Sequence, residues 1–122
     1  MSLSEHTPAL VQIAAEAADS KSGFDLVALD VSQPLPLTDA FLVVSGGSER
    51  NVQAIADGIQ DALGEHGVRT LRREGRAEGR WVLLDFGDLI CHVFHEDERM
   101  FYGLERLWKD CPVIELSLPA AR

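Results

Sequence analysis

The sequence predicts an α+β fold in which a mixed β-sheet is flanked by helices, with the elements in the rough order αββαβββα. Three observations predict it. Residues 81–84 and 89–94 are apolar runs of strand length, rich in β-branched and aromatic residues, and Asp85-Phe86-Gly87-Asp88 between them is turn chemistry. After His95 the apolar period changes to that of a helix, because Phe101, Leu104 and Trp108 fall at i, i+3 and i+7 behind an acidic Glu96-Asp97-Glu98 that suits a helix N-terminus. Residues 40–45 are apolar on both faces and are followed by a helical stripe, Val52, Ile55, Ala56, Ile59 and Leu63. A strand followed by a helix and then by further strands is a crossover connection, so the sheet contains at least one parallel pair.

Each element has a local reason. Thr7-Pro8 offers a hydroxyl at a cap and a proline where its missing N–H is harmless, and Leu10, Ile13, Ala14 and Ala17 follow at helical spacing until Ser20-Lys21-Ser22-Gly23 ends the helix. Residues 24–31 alternate as a strand, with Leu26 and Ala28 on one face and Val27, Leu29 and Val31 on the other. Pro34 and Pro36 exclude a central strand from residues 32–39, which form a loop. Ser48 caps the second helix, and Gly64 and Gly67 close it. Residues 72–79 form a polar, glycine-bearing tip between strands around Leu71 and Trp81, and Gly87 supplies the positive φ of the next turn. Cys111-Pro112-Val113-Ile114-Glu115-Leu116-Ser117-Leu118 alternates apolar and polar, as an edge strand on this sheet or an arm buried on a second copy.

At 122 residues the chain is expected to be one domain, with a core over about residues 7–110 and a C-terminal tail over residues 111–122. Eleven basic and twenty acidic residues give a net charge of −9, which opposes a sequence-independent grip on phosphate and favours a basic protein partner. Arg69, Arg72, Arg73, Arg76 and Arg80 are a local exception. They either touch RNA as a minor contact or form a solvated hairpin neutralised by Glu74 and Glu78. Cys91 and Cys111 make no disulfide framework or paired metal-ligand spacing, no apolar run approaches membrane-spanning length, and the first residues lack a signal-peptide pattern. A cytoplasmic protein is expected.

Several constellations carry chemistry on paper. Asp85-Phe86-Gly87 spells the kinase metal-binding tripeptide, but the other kinase motifs are missing from so short a chain. Gly46-Gly47-Ser48 between strand and helix resembles a phosphate-holding turn, yet Asp85 and Asp88 flank a turn instead of alternating along a strand as paired metal carboxylates would. His92 and His95, three apart on a strand, point to opposite faces and do not share one zinc ion. Arg50 stands where a nucleophile elbow requires glycine. No cofactor or metal is expected. Of the aromatic residues, Phe94 and Phe101 read as core, with Leu104, and Trp81 and Tyr102 either as exposed anchors or as half-buried packing.

The blocks Thr38-Asp39-Ala40-Phe41-Leu42-Val43-Val44-Ser45-Gly46-Gly47-Ser48, Ala54-Ile55-Ala56-Asp57, Arg73-Glu74-Gly75, Trp81-Val82-Leu83-Leu84-Asp85-Phe86-Gly87-Asp88 and His92-Val93-Phe94, followed by Arg99, Phe101-Tyr102, Leu104-Glu105 and Leu107-Trp108, resemble the ribosomal silencing factor family, also called Iojap-related proteins. Ala40, Asn51 and Phe86 depart from that family's usual tyrosine, histidine and tyrosine, and the residues beyond Trp108 lie outside the shared blocks. The resemblance implies a nucleotidyltransferase-like fold without transferase activity. It also implies a steric mechanism: binding to the large ribosomal subunit through its protein L-fourteen, obstructing the small subunit and repressing translation when nutrients are short.

On that footing the expected docking face is Arg73, Glu74, Trp81, Asp85, Asp88 and His92 on the hairpins with Arg99, Tyr102, Glu105 and Trp108 on the last helix. Asp85, Asp88 and Glu105 would meet basic groups, and Trp81, Tyr102 and Trp108 would be apolar anchors. The competing reading is a nucleotidyltransferase-like enzyme built on Gly46-Gly47-Ser48 and Asp85. A homodimer, as a storage form, is compatible with the first reading.

Overall fold

The computed structural model describes residues 6–33, 37–102 and 109–118. Helix α1 (Thr7–Ser20) leads to strands β1 (Phe24–Asp30) and β2 (Ala40–Gly46), then helix α2 (Glu49–Glu65), strands β3 (Arg72–Glu74), β4 (Trp81–Asp85) and β5 (Leu89–His95), helix α3 (Glu96–Tyr102) and strand β6 (Val113–Ile114). The strands form one sheet in the order β3-β4-β5-β2-β1-β6. β2 and β5 are parallel, from Ala40↔Leu89 to Gly46↔His95, and the other neighbours are antiparallel. The fold is thus α+β with a mixed sheet. The parallel partner is β5, reached by a crossover that contains both α2 and the β3–β4 hairpin.

One sheet face carries Ala28, Ala40, Leu42, Val44, Val82, Leu84, Cys91 and Val93 against Val11, Ala14, Ala15 and Ala18 of α1 and the Val52, Ile55, Ala56, Ile59 and Leu63 stripe of α2. The opposite face gathers Leu29, Val31 and Phe41 with Val27, Ile90 and Cys111. The alternation expected for β1 therefore holds, residue by residue. Ser48 Oγ accepts the Asn51 backbone N–H at 3.0 Å and caps α2.

Two local expectations are corrected. His6, not Thr7, is the cap residue of α1, and no side chain caps it. The buried Thr7 hydroxyl donates instead to the Asp39 carboxylate at 2.9 Å, a tertiary partner that a helix-start pattern does not reveal. Arg72–Glu74 pairs with β4, Arg72 opposite Asp85, so the tip of that hairpin shrinks to residues 75–80. The strand is exposed at every residue, and without a buried side it leaves no alternating apolar signal. Of the two readings of the tail, the edge strand is found: β6 pairs Ile114 with Ala28 and Val113 with Leu29. Ile114, Leu116 and Leu118 pack on the core of their own chain, and the Gln12 side chain donates to the Ser117 carbonyl at 2.6 Å and accepts its N–H at 3.0 Å. Of the last helix, positions 103–108 lie outside the described residues.

Gly75 turns the β3–β4 hairpin at a φ of +85°, and a Cβ there would stand 2.0 Å from the Trp81 carbonyl oxygen. Gly75→Ala is therefore expected to lower stability by more than ~1 kcal/mol. Urea unfolding checks it, and an unchanged midpoint would contradict the stated role of this turn.

Candidate functional site

The face of the sheet opposite α1 and α2 carries, on β4 and β5, an aromatic arrangement set by register. Trp81 lies across from Phe94 and Leu83 across from His92, so the alternating residues Trp81, Leu83 and Asp85 share one side with Ile90, His92 and Phe94. Trp81 stacks on Phe94 with ring centroids 5.1 Å apart and planes 25° apart. Its indole Nε1–H donates to His92 Nδ1 at 3.2 Å. Phe41 meets the same imidazole edge-on at 4.8 Å. Phe94 is 1% exposed and His92 5%, whereas Trp81 and Leu83 are half-buried. The outer residues stand on a buried aromatic platform.

The tryptophan N–H can only donate, so His92 Nδ1 must be the acceptor and the neutral ring carries its proton on Nε2. That Nε2 is buried and has no hydrogen-bond partner among the described residues. Burial pulls the His92 pKa down to about 4, which keeps the ring neutral and Nδ1 available. Burial also pushes the neighbouring Cys91 thiol far up, out of the reactive range.

The other expected site residues have different neighbours. Glu74 pairs across from Leu83, on the Trp81 side, and forms an ion pair with Arg72 Nε at 3.4 Å. Arg73, across from Leu84, lies on the opposite face, where its guanidinium donates to Gln60 of α2 at 3.0 Å. It does not join the Trp81 face. Arg72, expected in the arginine cluster but not on the docking face, does. Asp85 has its Oδ1 engaged by the Gly87 N–H at 2.8 Å and serves the turn. Asp88 binds the His6 ring at 2.5 Å and faces the start of α1. Arg99 ties α3 to the sheet through the Ser45 hydroxyl at 2.9 Å and the Asp25 carbonyl. Asp25 has a φ of +52° inside an irregularity of β1, which interrupts the ladder beside this tie. Tyr102 ends the described part of α3, and Glu105 and Trp108 lie outside the described residues. Leu83 is the missed neighbour, and the period-two spacing from Trp81 was the signal for it.

Much of the arginine cluster is internally matched, in part by the expected Glu74 and otherwise by acids from other elements. Arg72 meets Glu74, Arg76 makes a two-pronged contact with Asp57 at 2.8 and 2.6 Å, and Arg80 reaches Glu98 at 2.6 Å and Glu49 at 3.6 Å. Glu78 is in none of these pairs. The Arg76 hydrogen bond holds the Asp57 carboxyl below its usual range, against partial desolvation.

The catalytic constellation does not assemble. The Gly47 N–H donates to Asn51 Oδ1 at 2.8 Å and the Asn51 side chain donates to the Lys21 carbonyl at 2.8 Å, so the turn before α2 is occupied by its own chain. Asp85 aligns through Ile90 with Phe41, while Gly46 aligns with His95. Five residues of β2 separate the two levels, about 16 Å at the rise of a strand. Among the described residues no group of His, Cys, Asp and Glu is placed to hold a metal, and no helix is long and apolar enough to cross a membrane.

The family model described as "Ribosomal silencing factor during starvation" matches residues 4–122, extending through the tail that the sequence blocks leave out. The chain is 45% identical over 108 residues to the Bacillus subtilis protein named ribosomal silencing factor RsfS, covering 88% of this chain and 92% of that one. A crystal structure of a Chromobacterium violaceum protein superposes with a TM-score of 0.81 at 37% identity, over 83% of this chain and 84% of that one. One from Bacillus halodurans gives a TM-score of 0.79 at 44% identity, over 88% and 98%.

The His92 environment has a pH signature. Below the ordinary imidazole value of 6.5 the unfolded chain takes up a proton that the folded chain refuses until about 4. Stability present above that window is lost as pH falls through it, by up to about 3 kcal/mol. Thermal melts between pH 7 and 4.5 are expected to show this fall, with a flatter profile for His92→Leu. Equal slopes in the two proteins would contradict the assignment.

Proposed function

The chain belongs to the ribosomal silencing factor family, and from that premise we propose that it represses translation under nutrient limitation by docking on the large ribosomal subunit. In this reading it docks against protein L-fourteen and its bulk keeps the small subunit from joining. The observation that carries the reading is Trp81, half-buried on the Phe94 and His92 platform with Leu83 beside it. A large amphipathic ring held in one orientation is the usual anchor of a protein interface. The net charge of −9 complements a basic ribosomal partner and speeds encounter with it.

The action is steric and needs no bond to be made or broken. Separation of Gly46 from Asp85, and the engagement of the Gly47 N–H by Asn51, favour binding over catalysis. The ion pairs of Arg72, Arg76 and Arg80 leave RNA a minor part. The place of action is the cytoplasm, where the proposed partner is. Ile114, Leu116 and Leu118 of the tail pack on their own core, whereas Val113 is exposed; a homodimer is compatible with this reading but is not needed for it.

Co-sedimentation with purified large subunits tests the reading. Trp81→Ala is expected to weaken binding by at least ~2 kcal/mol while retaining a cooperative melt. Unchanged affinity in the folded variant would remove Trp81 from the interface. Nucleotide with magnesium is expected to leave the melting temperature where it is. A rise would point to a nucleotide ligand of the native state and favour the enzyme.

A further inference from the structure

We infer that His92 is a positioning residue for docking, fixing the Trp81 indole by accepting its N–H at Nδ1 while its own Nε2 proton stays buried without a partner. The inference rests on the reading of Trp81 as an anchor and goes beyond the expectation that His92 is itself a contact.

Packing alone would select a hydrocarbon side chain at position 92. The position lies on β5 between Leu83 and Val43 on the neighbouring strands, with Phe41 edge-on and Phe94 stacked nearby at 6.3 Å. An aliphatic or aromatic hydrocarbon would fill it without leaving a buried polar atom unpaired. Imidazole leaves Nε2 unpaired, at the cost of an unmade hydrogen bond. What the histidine adds is the 3.2 Å bond to Trp81. The stacking of Trp81 on Phe94 sets the plane of the ring, and the directional bond to His92 narrows its rotation in that plane, which docking would otherwise have to freeze. The bond needs a neutral imidazole, and burial supplies one across the physiological range. His92 thus exchanges some stability for a pre-oriented anchor.

Three variants test it at pH 7: His92→Leu removes the acceptor, His92→Asn offers a carbonyl near the Nδ1 position, and Trp81→Ala removes the anchor. Three readouts are taken: the melting temperature, the hydrogen-exchange rate of the Trp81 indole N–H by NMR, and affinity for purified large subunits. His92→Leu is expected to melt no lower than the parent, to speed indole exchange about tenfold, and to weaken binding about fivefold to tenfold, the net effect of one hydrogen bond. His92→Asn is expected to recover binding relative to His92→Leu. A merely structural role predicts a lower melting temperature for His92→Leu with exchange and affinity unaltered at temperatures where it is folded, and that pattern would overturn the proposal. If Trp81→Ala binds as the parent does, the docking reading fails and the positioning role fails with it. If Trp81→Ala loses binding and His92→Leu keeps it, only the positioning role is overturned.

Discussion

The parallel pairing of β2 with β5 is the constraint on which the other features depend. All seven residues of β2 are buried, so this strand has to lie inside the sheet with cover on both faces. A parallel neighbour cannot be reached by a tight turn, and the chain spends α2 and the β3–β4 hairpin on the way. That route places the apolar stripe of α2 beside α1 on one face. It also brings β4 beside β5 in the register that sets Trp81 over Phe94.

The two faces then do different work. One is closed by small and branched residues, with Ala14, Ala15 and Ala18 of α1 buried completely. The other holds aromatic rings and one neutral imidazole, and near its edge the side chains become half-buried. Charge is managed around this surface. Arg73 and Arg76 are drawn onto α2, Arg80 onto Glu98 and Arg99 onto the sheet. These contacts hold the hairpin and α3 in place, and the ion pairs of Arg76 and Arg80 offset positive charge that could otherwise attract phosphate, in keeping with the proposed docking of an acidic chain on a basic protein.

Whatever depended on local periodicity was legible in the sequence. The α2 stripe, the alternation along β1, the buried β2 and the turn at Gly87 all came from spacing and turn chemistry. The aromatic pair Trp81 and Phe94 was visible as two strand residues, but its stacking required the register. The same missing register hid that Arg72 and Arg73, neighbours in sequence, serve opposite faces. Partners far apart in the chain were illegible for the same reason, among them His6 with Asp88, Thr7 with Asp39 and Arg99 with Ser45. Long charged side chains carry no local mark of whether they meet a partner protein or their own fold.

The most direct test of the account is subunit joining itself. Purified large and small ribosomal subunits are mixed under associating conditions with rising amounts of this protein, and joined particles are followed by light scattering. Joining is expected to fall as the protein saturates the large subunit, and preincubation with the large subunit is expected to deepen the effect whereas preincubation with the small subunit is not. Full joining at saturating protein bound to the large subunit would contradict the steric mechanism.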